Sequence, residues 1–329
     1  TGPEVIGHPG GIATTGRAVV DLGPYADDAR IVGTAARWPD LVDRAVAALP
    51  TRTGLAFPPT KPPRVRLAPL GDERLDFAVD AAIEEGRRVA RVTVNVEPLA
   101  AGRRDAETVL LQGLAAAVYE DVAHRLGPPP AYVTRAAEIV AAKDLADRLA
   151  DLVRTADGRT PAVDPEDPRA VEATAAAALV LLEEHGGDGA IRRFLRFAAE
   201  GDDPNELLAR AAQDPVGRWA GRGRTVLASR LRGFDSAPWQ LLDRARRTLR
   251  EEGRGAMESI LPASLPAAVA PEITALRAQA FANEGDYESA RRLLASLEGD
   301  VRHLAAPGET AALRVRAERA PGGDPARGA

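Results

Sequence analysis

The sequence predicts an α+β protein: a small mixed-sheet lobe at the amino terminus, followed by helices to the end. β-branched runs with alternating polarity are confined to the residues before Asp105. From Asp105 onward, apolar residues recur at helical spacing, punctuated by Gly and Pro. A third pattern, two short helices joined by Gly285-Asp286, marks the last third. The expected organisation is an extended arm plus α/β lobe over 1–104, a helical lobe over 105–232, a helical-repeat-like region over 233–317 and a disordered tail over 318–329.

The amino-terminal stretch is rich in Gly and Pro and holds two β-branched runs, Ala18 to Leu22 and Arg30 to Thr34, read as an extended arm or edge strands. Trp38-Pro39-Asp40 opens a helix whose Leu41, Val42, Ala45, Val46 and Leu49 fall on one face before Pro50. The prolines between Phe57 and Pro63 lack N–H groups and force an extended connector. Arg64 to Leu70 alternates Val65 and Leu67 with Arg64 and Arg66, as a strand does. Phe77 to Ile83 fits helix or strand, and Arg91 to Val96 is the strongest strand.

Asp105 is a good N-cap, and Leu110, Leu114, Val118 and Val122 form a stripe that ends at Gly127-Pro128. A second helix is expected from Tyr132 to Arg154, then a loop to Arg169 and an apolar helix from Ala170 to His185 stopped by Gly186-Gly187. Short helices follow at Ile191 to Glu200 and Glu206 to Gln213, and residues 238–317 read as helices.

Composition narrows function. Acidic residues number 48 and basic ones 43, a near balance that argues against a nucleic-acid partner or a polybasic membrane patch. No apolar run reaches the roughly 18–20 residues of a membrane span. With no Cys, disulfides, thiolate metal sites and thiol nucleophiles are excluded. The four His, at 8, 124, 185 and 303, are too far apart in sequence to pair on a helix. Only Lys61 and Lys143 are lysines, an Arg bias that fits a high-GC bacterial genome. The chain begins at Thr1 and its only Met is Met257, so a processed or partial chain is expected, with any signal or anchor upstream.

Two resemblances carry functional expectations. Between Ile273 and Leu297, small Ala278 and Ala290 alternate with Phe281, Tyr287 and Leu294 across the turn, which resembles a tetratricopeptide repeat. Residues 239–265, with Leu241, Leu242, Ala245 and Leu249, are a weaker second copy.

The stretch from about 88 to 230 carries four features in order: the strand Val92 to Leu99, the helix Asp105 to Leu126, the segment Pro130-Ala131-Tyr132-Val133-Thr134-Arg135-Ala136-Ala137-Glu138, and the apolar run Ala176 to Ala212. It resembles the peptidase-MA-like, gluzincin branch of metallopeptidases, whose P-x-W-[LV]-x-E-G-x-A segment the third feature echoes. That family binds zinc with H-E-x-x-H and a later Glu, the Glu of the motif activating a metal-bound water. The resemblance puts Gln112-Gly113-Leu114-Ala115-Ala116 at the motif and Arg135 at the third ligand. Gly113 and Ala116 have no donor atom, Gln112 offers only a neutral amide, and Arg135 brings a permanent positive charge against a cation.

The expectation is therefore an inactive pseudo-peptidase with no metal and no cofactor. It would act as a protein- or peptide-binding or scaffold module, exported to the periplasm or beyond. Gln112, Ala116, Tyr132 and Arg135 are the candidate groove residues. The alternative is a hydrolase with a relocated site, for which Glu120, Asp121 and His124 are the candidates on one helix. Glu183-Glu184, adjacent and about 100° apart on a helix, read as a solvated edge. Gly221-Arg222-Gly223-Arg224 is a superficial phosphate-loop likeness without a Walker lysine.

Overall fold

The computed structural model describes residues 6–8, 12–15, 17–25, 38–72, 75–84, 86–100, 105–155, 161–232, 237–267, 269–297, 313 and 316–317. The expected strand at Arg30 to Thr34 and the tail over 318–329 lie outside them. The architecture is α+β, with a mixed sheet followed by helices. Two compact units divide the chain, one of residues 1–96 and 106–234, the other of residues 97–105 and 235–329. The boundary expected at 104/105 thus separates stretches that share the first unit.

Six strands form one sheet in the order β1-β2-β3-β4-β6-β5. β1 (Ile6–His8), β2 (Ile12–Thr14) and β3 (Val19–Asp21) pair antiparallel. β4 (Arg64–Ala68) joins β3 and β6 (Arg87–Asn95) in parallel, and β5 (Phe77–Glu84) closes the order antiparallel to β6. The register sets Val20 beside Val65 and Val65 beside Val92, a row of fully buried side chains. On the other face Asp80 lies opposite Arg91, whose Nε and Nη2 donate to its carboxylate at 2.8 and 2.6 Å. Those hydrogen bonds hold the Asp80 carboxyl below its ordinary range. The ambiguous run at Phe77 is a strand because β6 pairs with it along its whole length, from Val94 to Arg87.

α1 (Trp38–Thr53) runs one turn past Pro50, where a stop was expected. The missing N–H removes one bond, but Thr53 Oγ1 donates to the Leu49 carbonyl at 2.8 Å and Leu49 is fully buried. α2 (Val96–Ala100) follows β6 directly. α3 (Ala106–Leu126) is enclosed on every side from Val109 to Ala117, as a helix without a polar face must be.

The helix expected over Tyr132 to Arg154 is two, α4 (Ala131–Ala142) and α5 (Leu145–Thr155). Lys143 breaks them with φ +58°, and the N–H groups of Lys143 and Asp144 bond back to Val140 and Ile139. No Gly or Pro announces that break. Within α6 (Val171–Glu200), Gly186 and Gly187 leave helical geometry, Gly187 at φ +60°, so the span is two helices meeting at a kink where the sequence expects the first to stop. α7 (Pro204–Ala212) and α8 (Trp219–Arg232) complete the unit. Gly221 to Arg224 lie inside α8, so the phosphate-loop likeness has no loop.

The second unit contains two helical hairpins. α9 (Ala237–Glu252) and α10 (Arg254–Ile260) turn at Gly253, and α11 (Ala270–Asn283) and α12 (Tyr287–Ser296) turn at Gly285. Gly285 adopts φ +83°, and Asp286 caps α12 by accepting from the Ser289 N–H at 3.0 Å. Ala278, Ala282, Ala290 and Leu294 fill the second seam, with Phe281 and Tyr287 beside them. Ala245 and Met257 of the first hairpin pack on Ala280. Arg277 forks onto Glu258, and the Arg254 guanidinium lies 4.3 Å from the Phe281 ring centre. Among the described residues, no helix is long and apolar enough to cross a membrane.

Candidate functional site

α3 carries positions 112–116 through the middle of the first unit. Gly113 faces the sheet: a Cβ built there would lie 2.6 Å from Val92 Cγ1 and 3.4 Å from the Phe77 ring. Glycine is what lets α3 approach β5 and β6 this closely. Gln112 and Ala116, one turn apart on the flank of that contact, are both buried, as is Leu114. No imidazole or carboxylate projects from these positions.

Gln112 instead joins a polar network. Its Nε2 donates to Asp144 Oδ2 at 3.4 Å, and Arg148 Nε and Nη2 donate to the same oxygen at 2.9 and 2.7 Å. Asp144 Oδ1 is buried without a partner. Burial pushes the Asp144 carboxyl up, opposed by the charge of Arg148. Arg135 contacts Glu138 at 2.5 Å and Glu172, in the first turn of α6, at 2.6 Å. Burial works against the Arg135 charge, but the bonds and charges of Glu172 and Glu138 outweigh it and raise its pKa. Glu138 is pushed up, by burial first, and Arg135 offsets part of that. The charge of Arg135 also reaches Asp144, and that of Arg148 reaches Glu138. The cations needed to balance these carboxylates are thus guanidiniums of the chain itself.

Tyr132, expected along a groove, is a core residue. It is 1% exposed, its ring centre lies 5.5 Å from that of Trp219, and its hydroxyl donates to Asn205 Oδ1 at 2.9 Å. Trp219 Nε1 donates to the same oxygen at 2.9 Å, while Asn205 Nδ2 donates to Asp203, the cap of α7. Burial, aided by the charges of Asp203 and Glu166, raises the Tyr132 pKa. Asn205→Ala would strand two aromatic donors. The expected loss is about 2 kcal/mol of stability, read by urea denaturation, with unchanged stability as the contrary result.

The relocated-site candidates Glu120 and His124 lie on α3. Glu120 is ion-paired with Arg88 of β6, and His124 is exposed. The Asp121 side chain lies outside the described residues, as do those of His8 and His303. Glu183 pairs with Arg230 at 3.4 Å on an exposed surface. Among the described residues, no group of three or more His, Asp or Glu could hold a metal ion.

Glu138, Asp144, Arg148 and Glu172 were missed as members of the network. Two of the links stand in the sequence as helical spacings, Arg135 with Glu138 at i,i+3 and Asp144 with Arg148 at i,i+4. Glu172 arrives only through tertiary packing. Comparison of this chain with models of known families, with curated proteins and with solved structures finds no match.

Proposed function

We propose that this chain is a non-catalytic, peptidase-like module that binds extended protein segments, with its helical hairpins as a further protein-binding surface. The observation that carries the reading is β5. It is an eight-residue strand at the end of the sheet order, its outer edge unpaired among the described residues. It packs on the helix whose positions 112, 113 and 116 carry no catalytic group. An unpaired edge offers backbone donors and acceptors to an added strand, and that mode of binding needs no catalyst.

Two further points support the reading. Arg135 is committed to Glu138 and Glu172, which leaves that position a structural charge rather than a ligand. Gln112, Ala116 and Tyr132 are too buried to line a groove, so the binding surface moves from those residues to the strand edge. Placement in a bacterial envelope rests on the family resemblance alone.

Amide hydrogen exchange during titration with a pool of extended peptides tests the assignment. Bound peptide is expected to slow exchange at β5 amides within 77–84. Binding that leaves those amides unprotected would overturn it.

A further inference from the structure

A pocket of about 340 Å³ lies in the first unit, along the carboxyl half of α3 and away from positions 112–116. That size is in the range of small-molecule sites, about 300–1,000 Å³. Leu55, Phe57, Val118 and Ala199 give it apolar wall. Lys61, Arg88, Arg125 and Arg196 also line it, against two carboxylates, Glu120 and Glu200. The lining is therefore cationic in a chain whose overall charge is −5.

Both carboxylates are held by lining arginines, Glu120 by Arg88 and Glu200 by Arg196 at 3.8 Å. Arg88 meets Glu120 through Nη2, and 33% of its side chain remains exposed. A positive lining beside apolar wall suits a monoanion with an apolar body. A guanidinium fork matches the two oxygens of a carboxylate.

We propose that this pocket binds a carboxylate bearing an apolar group, with its charge at Arg88 and its apolar part against Leu55, Phe57 and Val118. Two sources share that chemistry: a free acyl carboxylate, and the terminal carboxylate of a peptide ending in an apolar residue. The proposal stands apart from the β5 reading, since neither residues nor ligand mode are shared.

Titration with octanoate and with the tripeptide Ala-Ala-Phe, each against its neutral counterpart, octanol or the tripeptide amide, separates the sources. At least one carboxylate is expected to bind saturably and about tenfold or more tighter than its neutral counterpart. Which one binds identifies the source. Arg88→Gln is expected to weaken that binding about tenfold, and Ala199→Phe, which fills the pocket without touching the charge, to abolish it. Absence of saturation by either carboxylate up to about 10 mM would overturn the proposal. Equal binding of the neutral counterparts, or wild-type affinity in Ala199→Phe, would do the same.

Discussion

Gly113→Glu is expected to leave the protein unable to reach its native packing, and Gly113→Ala to cost about 1–2 kcal/mol of stability. Within a helix, replacing glycine by alanine normally gains about 1 kcal/mol, so the sign here is diagnostic. The new methyl would lie 2.6 Å from Val92 Cγ1, and Val92 is fully buried in the central row of the sheet. Its β-branched side chain is stiff at χ1 and yields little. Overpacking of about 1–3 kcal/mol then exceeds the helical gain. Glutamate adds the burial of a carboxylate against Val92 and Phe77. Urea denaturation of the alanine variant and solubility of the glutamate variant provide the readout. A stabilised Gly113→Ala protein would contradict the close approach of α3 to the sheet. The same geometry implies that restoring H-E-x-x-H here requires repacking the sheet as well as changing the motif.

Arg135→Leu is expected to lose about 3 kcal/mol at neutral pH, the effect of removing one partner from a largely buried ion cluster. Glu138 and Glu172 would lose the guanidinium they share, while the charge of Arg148 would still reach Glu138. The pH dependence has a definite sign. The native pKa of Glu138 is raised, by burial above all, so the folded state holds that proton more tightly than the unfolded state. Its contribution to stability is therefore fully present below the ordinary glutamate pKa and is lost as pH rises through the raised value. Loss of Arg135 removes the attraction that opposes the raise, so the variant regains more on acidification than the wild type. Asp80, whose pKa is lowered, loses stability on acidification in both proteins and cancels in the difference. The gap between the two proteins should narrow from pH 7 to about pH 4.5. A gap of constant size would mean that Arg135 acts through packing alone.

How far the sequence carried these conclusions differs by element. The alternation of Val65 and Leu67 with arginines, and the apolar periodicity of α3, report burial on one face or all faces, and both elements formed as read. Phe77 to Ile83 was undecidable locally because only pairing with β6 distinguishes its strand from a helix. The break at Lys143 was invisible because a lysine, rather than glycine, takes the left-handed turn. At the candidate site, the missing donors of Gly113 and Ala116 are plain from residue type. The direction of Gly113 toward Val92 is a packing fact, and the capture of Arg135 by Glu172 joins residues of different helices. Tyr132 was misplaced for the same reason: an aromatic beside a helix start reads as a groove wall until Asn205 and Trp219 are seen to claim it.

One measurement bears most directly on the binding of extended segments without catalysis. The protein is incubated with a pool of unstructured peptides, and mass spectrometry follows which peptides are retained and which are cut. Peptides retained intact, with the same outcome whether zinc or a chelator is present, are the expected result. Cleavage that a chelator abolishes and zinc restores would contradict it.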